Sequence, residues 1–247
     1  TLWLIENTDM GNTLVDYQIR SLIEKSYIES NSLEHSQIQP ASLEPKISDE
    51  VYFISTQESG VISPSMNRSV YEILHNNNAK KQKFNDKFEL KKGFTYVFPL
   101  EEKLDLPENI RIESSSKSSS GRNFLYNRLI ADYTPTFDEI NPHYKLLKRD
   151  LWLMVQPFAF NVLVYPGLRL NQLRFIQGLD AKLSEEETQK VIKEKPILFQ
   201  RINSENSEPA KHLISDGIQI HLDTIGRFTY GIFGLQAKLD NPNPIDL

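Results

Sequence analysis

"DLWLMVQPFAFNVLVYPGLRLNQLRFIQG", residues 150–178, decides the fold class. It holds three short runs, "DLWLMVQP", "FNVLVYP" and "LNQLRFIQG", cut apart by proline, glycine or asparagine. Aromatic and β-branched side chains suit a pleated surface, and the intervening residues end ladders, so each run predicts a strand. "LWLMV" and "FNVLV" are almost continuously apolar, which predicts strands covered on both faces. The same signature recurs upstream in "EVYFIST", "GFTYVFPL" and "NIRIES", and downstream in "GIQIHLD" and "FTYGIFGLQAKL". This density of short strands predicts a mainly β fold, a distorted β-barrel or jelly-roll-like core with a few short helices.

Helical signals are sparse. "VDYQIRSLIEKSYI" places Ile19, Leu22 and Ile23 on one face, which predicts a helix near 17–27 with Asp16 as its N-cap. In "LSEEETQKVIKEKP", Ser184 stands three residues before Glu187 and Pro196 lies beyond the end, a capping box with a stop signal. "QIQPASLEPKI" is broken by Pro40 and Pro45 and reads as extended or turn structure. "HNNNAKKQKFNDK", residues 75–87, reads as an exposed loop. These signals divide the chain into an N-terminal extension, 1–12, a β domain, 13–178, and a helix-containing linker leading into a second β-rich half, 179–247.

Composition narrows the function classes. With 39% hydrophobic and 10% aromatic residues, the chain can build a core and is not a disordered sequence. A net charge of −5 argues against DNA or RNA as a partner, since such surfaces carry a basic footprint. Cysteine is absent, which removes disulfides and thiolate metal sites and points to a cytoplasmic setting. No apolar run approaches the roughly 20 residues that span a bilayer, so no membrane is expected as a partner. The start, "TLWLIENTDM", is not a signal peptide. His35, His75, His143, His212 and His221 form no His-x-Glu or His-Glu-x-x-His unit, so no metal ligands are assigned. Neither a P-loop nor a Gly-x-Gly-x-x-Gly turn occurs.

The chemistry concentrates in "SSSKSSSGRNFLYNRLI", residues 114–130. A polyserine linker should run on into more polar sequence, but here an apolar segment follows at once. Phe124, Leu125 and Leu129 stand near helical spacing, so the stretch reads as a loop feeding a helix start, where unpaired N–H groups favour an anion. Lys117 and Arg122 add charge, Ser118 and Ser119 add hydroxyl donors, and Gly121 permits close backbone approach. Composition leaves two readings open, a phosphate cradle or a solvated serine-rich turn.

"KSSSGR", preceded by "LPENIRIES" and followed by "NRLIADYTPTFDEI", resembles the dCTP deaminase family of the trimeric dUTPase-like superfamily, in its long bacterial form. "QIQPASLEPKI", "FNVLVYPGLRLNQLRFIQG" and "LSEEETQKVIKEKPILF" agree with that family in order, so the resemblance covers most of 14–247. It implies hydrolytic deamination of dCTP to dUTP and ammonia, with the triphosphate held by Lys117, Ser118, Ser119 and Arg122. It implies Mg²⁺ carried on the triphosphate, no zinc, and active sites formed between subunits of a homotrimer.

The family's general-base glutamate aligns with Met154, which cannot take a proton, so no catalytic residue is assigned. Asp150, four residues upstream, lies roughly 13 Å away on a strand and cannot substitute. The family's Gly-Tyr-x-Gly turn is altered to "PHYKLLKRD", and Glu44, Pro45 and Lys46 depart from its Asp-Leu-Arg. Long-form relatives continue into a second half with its own glutamate. Three functions follow: a dCTP deaminase; a dUTPase-type diphosphatase or bifunctional enzyme, with Asp132 and Asp138 as candidate water-activating groups; or a nucleotide-binding or oligomer-forming protein with a degenerate site.

Overall fold

A computed structural model describes residues 11–53, 62–141, 143, 147–178, 183–201 and 206–209, with short pieces at 217–219, 225, 227, 230–231, 234 and 243–247. Residues 1–181 with 238–247 form one compact unit, and 182–237 form another.

The larger unit is mainly β. One six-stranded sheet runs in the order Glu139–Ile140, Ile110–Ser116, Asn171–Gln177, Ser42–Leu43, Ile38–Gln39, with Asn12–Thr13 also on Asn171–Gln177. A second six-stranded sheet runs Leu125–Ala131, Arg149–Pro157, Tyr96–Leu104, Glu50–Phe53, Lys80–Lys83, with Ile28–Glu29 also on Tyr96–Leu104. Every pairing within these two sheets is antiparallel. Val162–Val164 forms a smaller sheet with Phe88–Leu90 and, in parallel, with Ile245–Asp246.

Period-2 alternation builds the core between the two large sheets. Phe98, Leu129 and Leu153 from one sheet join Leu43, Ile112, Leu173 and Phe175 from the other, all essentially fully buried. Each such side chain contributes roughly 1.5–3 kcal/mol by leaving water. The opposite side of the second sheet carries Tyr52, Val97, Ile130 and Trp152, and Val70 and Leu74 of the helix Val70–Asn76 cover them. That helix explains the near-continuous apolar run "LWLMV": Leu151, Leu153 and Val155 enter the main core, while Trp152 and Met154 face the helix side. Asp132 fastens the two together, its Oδ1 accepting from Val70 N at 2.8 Å and from Trp152 Nε1 at 3.2 Å.

The mainly β expectation holds, and so does the Ser184 cap. Its hydroxyl accepts from Glu187 N at 3.2 Å ahead of the helix Glu185–Glu194. Three local expectations are corrected. The first helix spans Asp16–Glu24, and Val15 is its cap residue, with Val15 N donating to Gln18 Oε1. Asp16 is already helical, and its N–H goes to Pro40 O at 3.0 Å. Residues 75–87 are not one loop: His75 and Asn76 close the helix Val70–Asn76, and Lys80–Lys83 is an edge strand with its side chains exposed. Finally, "LYNRLIA" is a strand rather than a helix, because its ladder with Arg149–Pro157 outweighs the helical spacing of its apolar residues. "GIQIHLD" and "FTYGIFGLQAKL" lie largely outside the described residues.

Candidate functional site

The serine stretch folds as one tight turn of helix, Ser118–Arg122, between the strands Ile110–Ser116 and Leu125–Ala131. Three donors fix it by converging on one carbonyl. Lys117 N, Ser120 Oγ and Asn127 Nδ2 all donate to Leu170 O, at 3.1, 2.9 and 3.1 Å. Asn123 closes the turn, its N and Nδ2 donating to Ser119 O at 3.2 and 3.0 Å. Phe124 then takes a left-handed conformation, φ +56°, that redirects the chain into its strand.

Residues four apart share a side of a helical turn, so the predicted cradle divides in two. Ser118 and Arg122 are exposed on the outer side, and Arg122 has no ion-pair partner among the described residues. Ser119 and Asn123 turn inward and line a cavity of about 610 Å³ together with Lys46, Lys117, Tyr165 and Arg169. Lys117 Nζ donates to Glu44 Oε2 at 2.7 Å, and Arg169 Nη1 lies 3.6 Å from the same oxygen. Lys46 Nζ donates to Glu34 Oε1 at 2.6 Å and to Ser32 O at 2.9 Å. Lys46 beside Glu34 holds that carboxyl below its ordinary value. Lys46, Lys117 and Arg169 therefore share the carboxylates of Glu34 and Glu44, while a further carboxylate, Asp246 on the lining, pairs with Lys87. The space around Gly121 is open: beyond its own turn, a Cβ there would meet nothing within 4 Å among the described residues. Nothing among the described residues requires glycine there, and the opening leaves room for a ligand.

Met154 belongs to a different surface. It packs against the Tyr52–Val97–Ile130–Trp152 group and stands directly opposite Arg128 in the ladder. Arg128 was not singled out from the sequence, although alternation along "LYNRLIA" puts it beside Tyr126 on the sheet side that Met154 faces. Its guanidinium lies 4.8 Å from the Phe137 ring centre, donates to Tyr126 OH at 2.8 Å and pairs with Asp138. Asp138 also accepts from Leu129 N at 2.7 Å, and its own φ is +60°. Burial pushes the carboxyls of Asp132 and Asp138 up despite these hydrogen bonds. Both carboxylates hold backbone in place, and neither lines the cavity. Asp150 pairs with Lys103 at 2.8 Å. The turn thus brings Lys117 and Ser119 together in the cavity, while Ser118, Arg122 and Met154 are not part of its lining.

Comparison with known proteins gives this two-sheet antiparallel core, with its basic turn between strands, a family. The family model of the 2'-deoxycytidine 5'-triphosphate deaminase N-terminal domain matches residues 11–179, and the chain belongs to that family. A crystal structure of 2'-deoxycytidine 5'-triphosphate deaminase from Agrobacterium tumefaciens is similar, with a TM-score of 0.68 and 28% identity over 75% of this chain. The chain spans 54% of that protein's length. No curated protein sequence matches.

Proposed function

We propose that this chain handles dCTP, for hydrolytic deamination to dUTP and ammonia. Residues 13–178 form the nucleotide-handling domain, and 238–247 belong to the same compact unit. The observation that carries the reading is the turn Lys117–Arg122, built on the Leu170 carbonyl and flanked by a cavity that Lys46, Lys117 and Arg169 line, in a chain of the dCTP deaminase family. Lys117 and Ser119 reach the triphosphate from the cavity side, and Ser118 and Arg122 from the open side. Among the described residues no group of three or more acidic or histidine side chains is placed to hold a metal. In this reading Mg²⁺ enters on the triphosphate oxygens, where it neutralises charge. The expected setting is cytoplasmic; among the described residues no helix is long and apolar enough to cross a membrane.

In the reaction, water adds to C4 of cytosine and the exocyclic amine leaves as ammonia. Met154 cannot deprotonate that water, so the base comes from another segment or subunit. The division of the cradle supports a homotrimer in which a second copy completes each site. The exposed aromatics Phe124, Tyr126 and Phe158 fit such an interface. Met154 also favours a second reading, nucleotide binding without turnover. The diphosphatase reading has less support, because Asp132 and Asp138 are committed to backbone. Incubating pure protein with dCTP, dUTP and Mg²⁺ and resolving the products separates these readings. dUTP and ammonia from dCTP support the first, unchanged nucleotide the second, and dUMP the third. Light scattering giving a monomer mass at micromolar concentration would remove the trimer.

A further inference from the structure

Behind the cavity lies a buried polar pair that touches no solvent, Gln37 and Glu102, each 0% exposed. Gln37 Nε2 donates to Glu102 Oε1 at 2.6 Å and to Glu44 O at 3.0 Å. Gln37 Oε1 accepts from Glu34 N at 2.8 Å, and Gln37 O accepts from Glu44 N at 2.9 Å. Glu102 Oε2 accepts from Lys46 N at 3.0 Å. The pair therefore holds the backbone at three residues, Glu34, Glu44 and Lys46. These are the residues whose side chains set the cavity's charge pattern, and Glu44 passes the constraint on to Lys117 and Arg169.

We infer that Gln37 and Glu102 are positioning residues that set the charge register of the cavity under the serine turn, and so its affinity for a polyphosphate. The polyphosphate clause rests on the proposed nucleotide reading. The bond pattern makes the carboxylate at 102 specific. Both of its oxygens face donors, Gln37 Nε2 and Lys46 N. A glutamine there would set an NH₂ group against one of them. Gln37 cannot flip in response, because its amide oxygen already serves Glu34 N and its amide nitrogen serves Glu44 O. An isosteric change should therefore disturb the rim while leaving the apolar core intact, since a buried donor without an acceptor is costly.

The test is Glu102→Gln in the full chain, read two ways. In the first, lysines are acetylated under limiting reagent and quantified by mass spectrometry. Labelling of Lys46 and Lys117 should rise about threefold or more relative to the exposed Lys80. Unchanged labelling overturns the proposal. In the second, calorimetry with inorganic tripolyphosphate should show affinity falling about threefold or more, while deoxycytidine affinity stays as in the unmodified chain. Equal loss for both ligands, or none for either, counts against a positioning role. If the unmodified chain binds no tripolyphosphate, the nucleotide reading fails while the labelling still decides the positioning role. Should Glu102→Gln fail to fold, Gln37→Met removes the Gln37 side-chain bonds to Glu102, Glu34 and Glu44 at similar volume. Collapse of both variants would make the pair a determinant of folding only and overturn the proposal.

Discussion

Met154→Glu tests whether position 154, where the family's general-base glutamate aligns, limits the rate of deamination. Met154 is half-buried, stands opposite Arg128 and packs against Val97, Ile130 and Trp152. A glutamate there gives up part of an apolar contact, about 1 kcal/mol. It gains an opposite charge directly across the ladder, worth about 0.2–1 kcal/mol, although Arg128 is shared with Asp138. The two nearly cancel, so the melting temperature should move by no more than about 2–4 °C. Activity should respond far more strongly, because a placed general base contributes about 10²–10⁴-fold. The assay is dUTP and ammonia released from dCTP with Mg²⁺, at matched protein concentration. Robust turnover by the unmodified chain, with the base supplied from elsewhere, would refute the claim that position 154 limits the rate. So would a folded, dCTP-binding Met154→Glu protein with no gain in rate.

Arg122→Ala should weaken dCTP binding at least about tenfold while sparing deoxycytidine, since a charge-assisted phosphate contact is worth about 1.5–3 kcal/mol. Calorimetry with both ligands checks this, and equal losses would count against the cradle. Leu153→Ala, at a fully buried site flanked by Leu129 and Phe98 in the sheet, should cost about 2–5 kcal/mol in chemical denaturation. A cost within experimental error would contradict the packing described. Burial raises the carboxyls of Glu102, Asp132 and Asp138, so the folded state holds these protons more tightly than the unfolded state. Their stabilisation is present at low pH and lost as pH rises through the raised folded values. Melting temperature should stay level or rise from about pH 7.5 to about 5.5, and Asp132→Asn should shrink any rise. A steady fall over that window, or an Asp132→Asn protein with the unmodified chain's full rise, would contradict the assignment.

What the sequence revealed follows the range of its signals. Strands such as Arg149–Pro157 and Asn171–Gln177 were legible because β-rich composition and bounding prolines and glycines act locally. "LYNRLIA" was misread because its ladder partner is distant in sequence, and that ladder decides its conformation. The residue types of the cradle were legible in "KSSSGR", but their division was not. It depends on Leu170 O, some fifty residues from Ser120, which pins the turn and aims Ser119 inward and Ser118 outward. Arg128 and the Gln37–Glu102 pair went unseen for a similar reason. A lone arginine in a strand, or a glutamine and a glutamate 65 positions apart, carries no pattern until the sheets bring the partners together.

A crystal structure of the chain grown with dCTP and Mg²⁺ tests the central claim most directly. The account predicts triphosphate oxygens within hydrogen-bond distance of Lys117, Ser118, Ser119 or Arg122, seated on the turn pinned to Leu170 O. A triphosphate bound elsewhere, or no nucleotide at millimolar ligand, would contradict it.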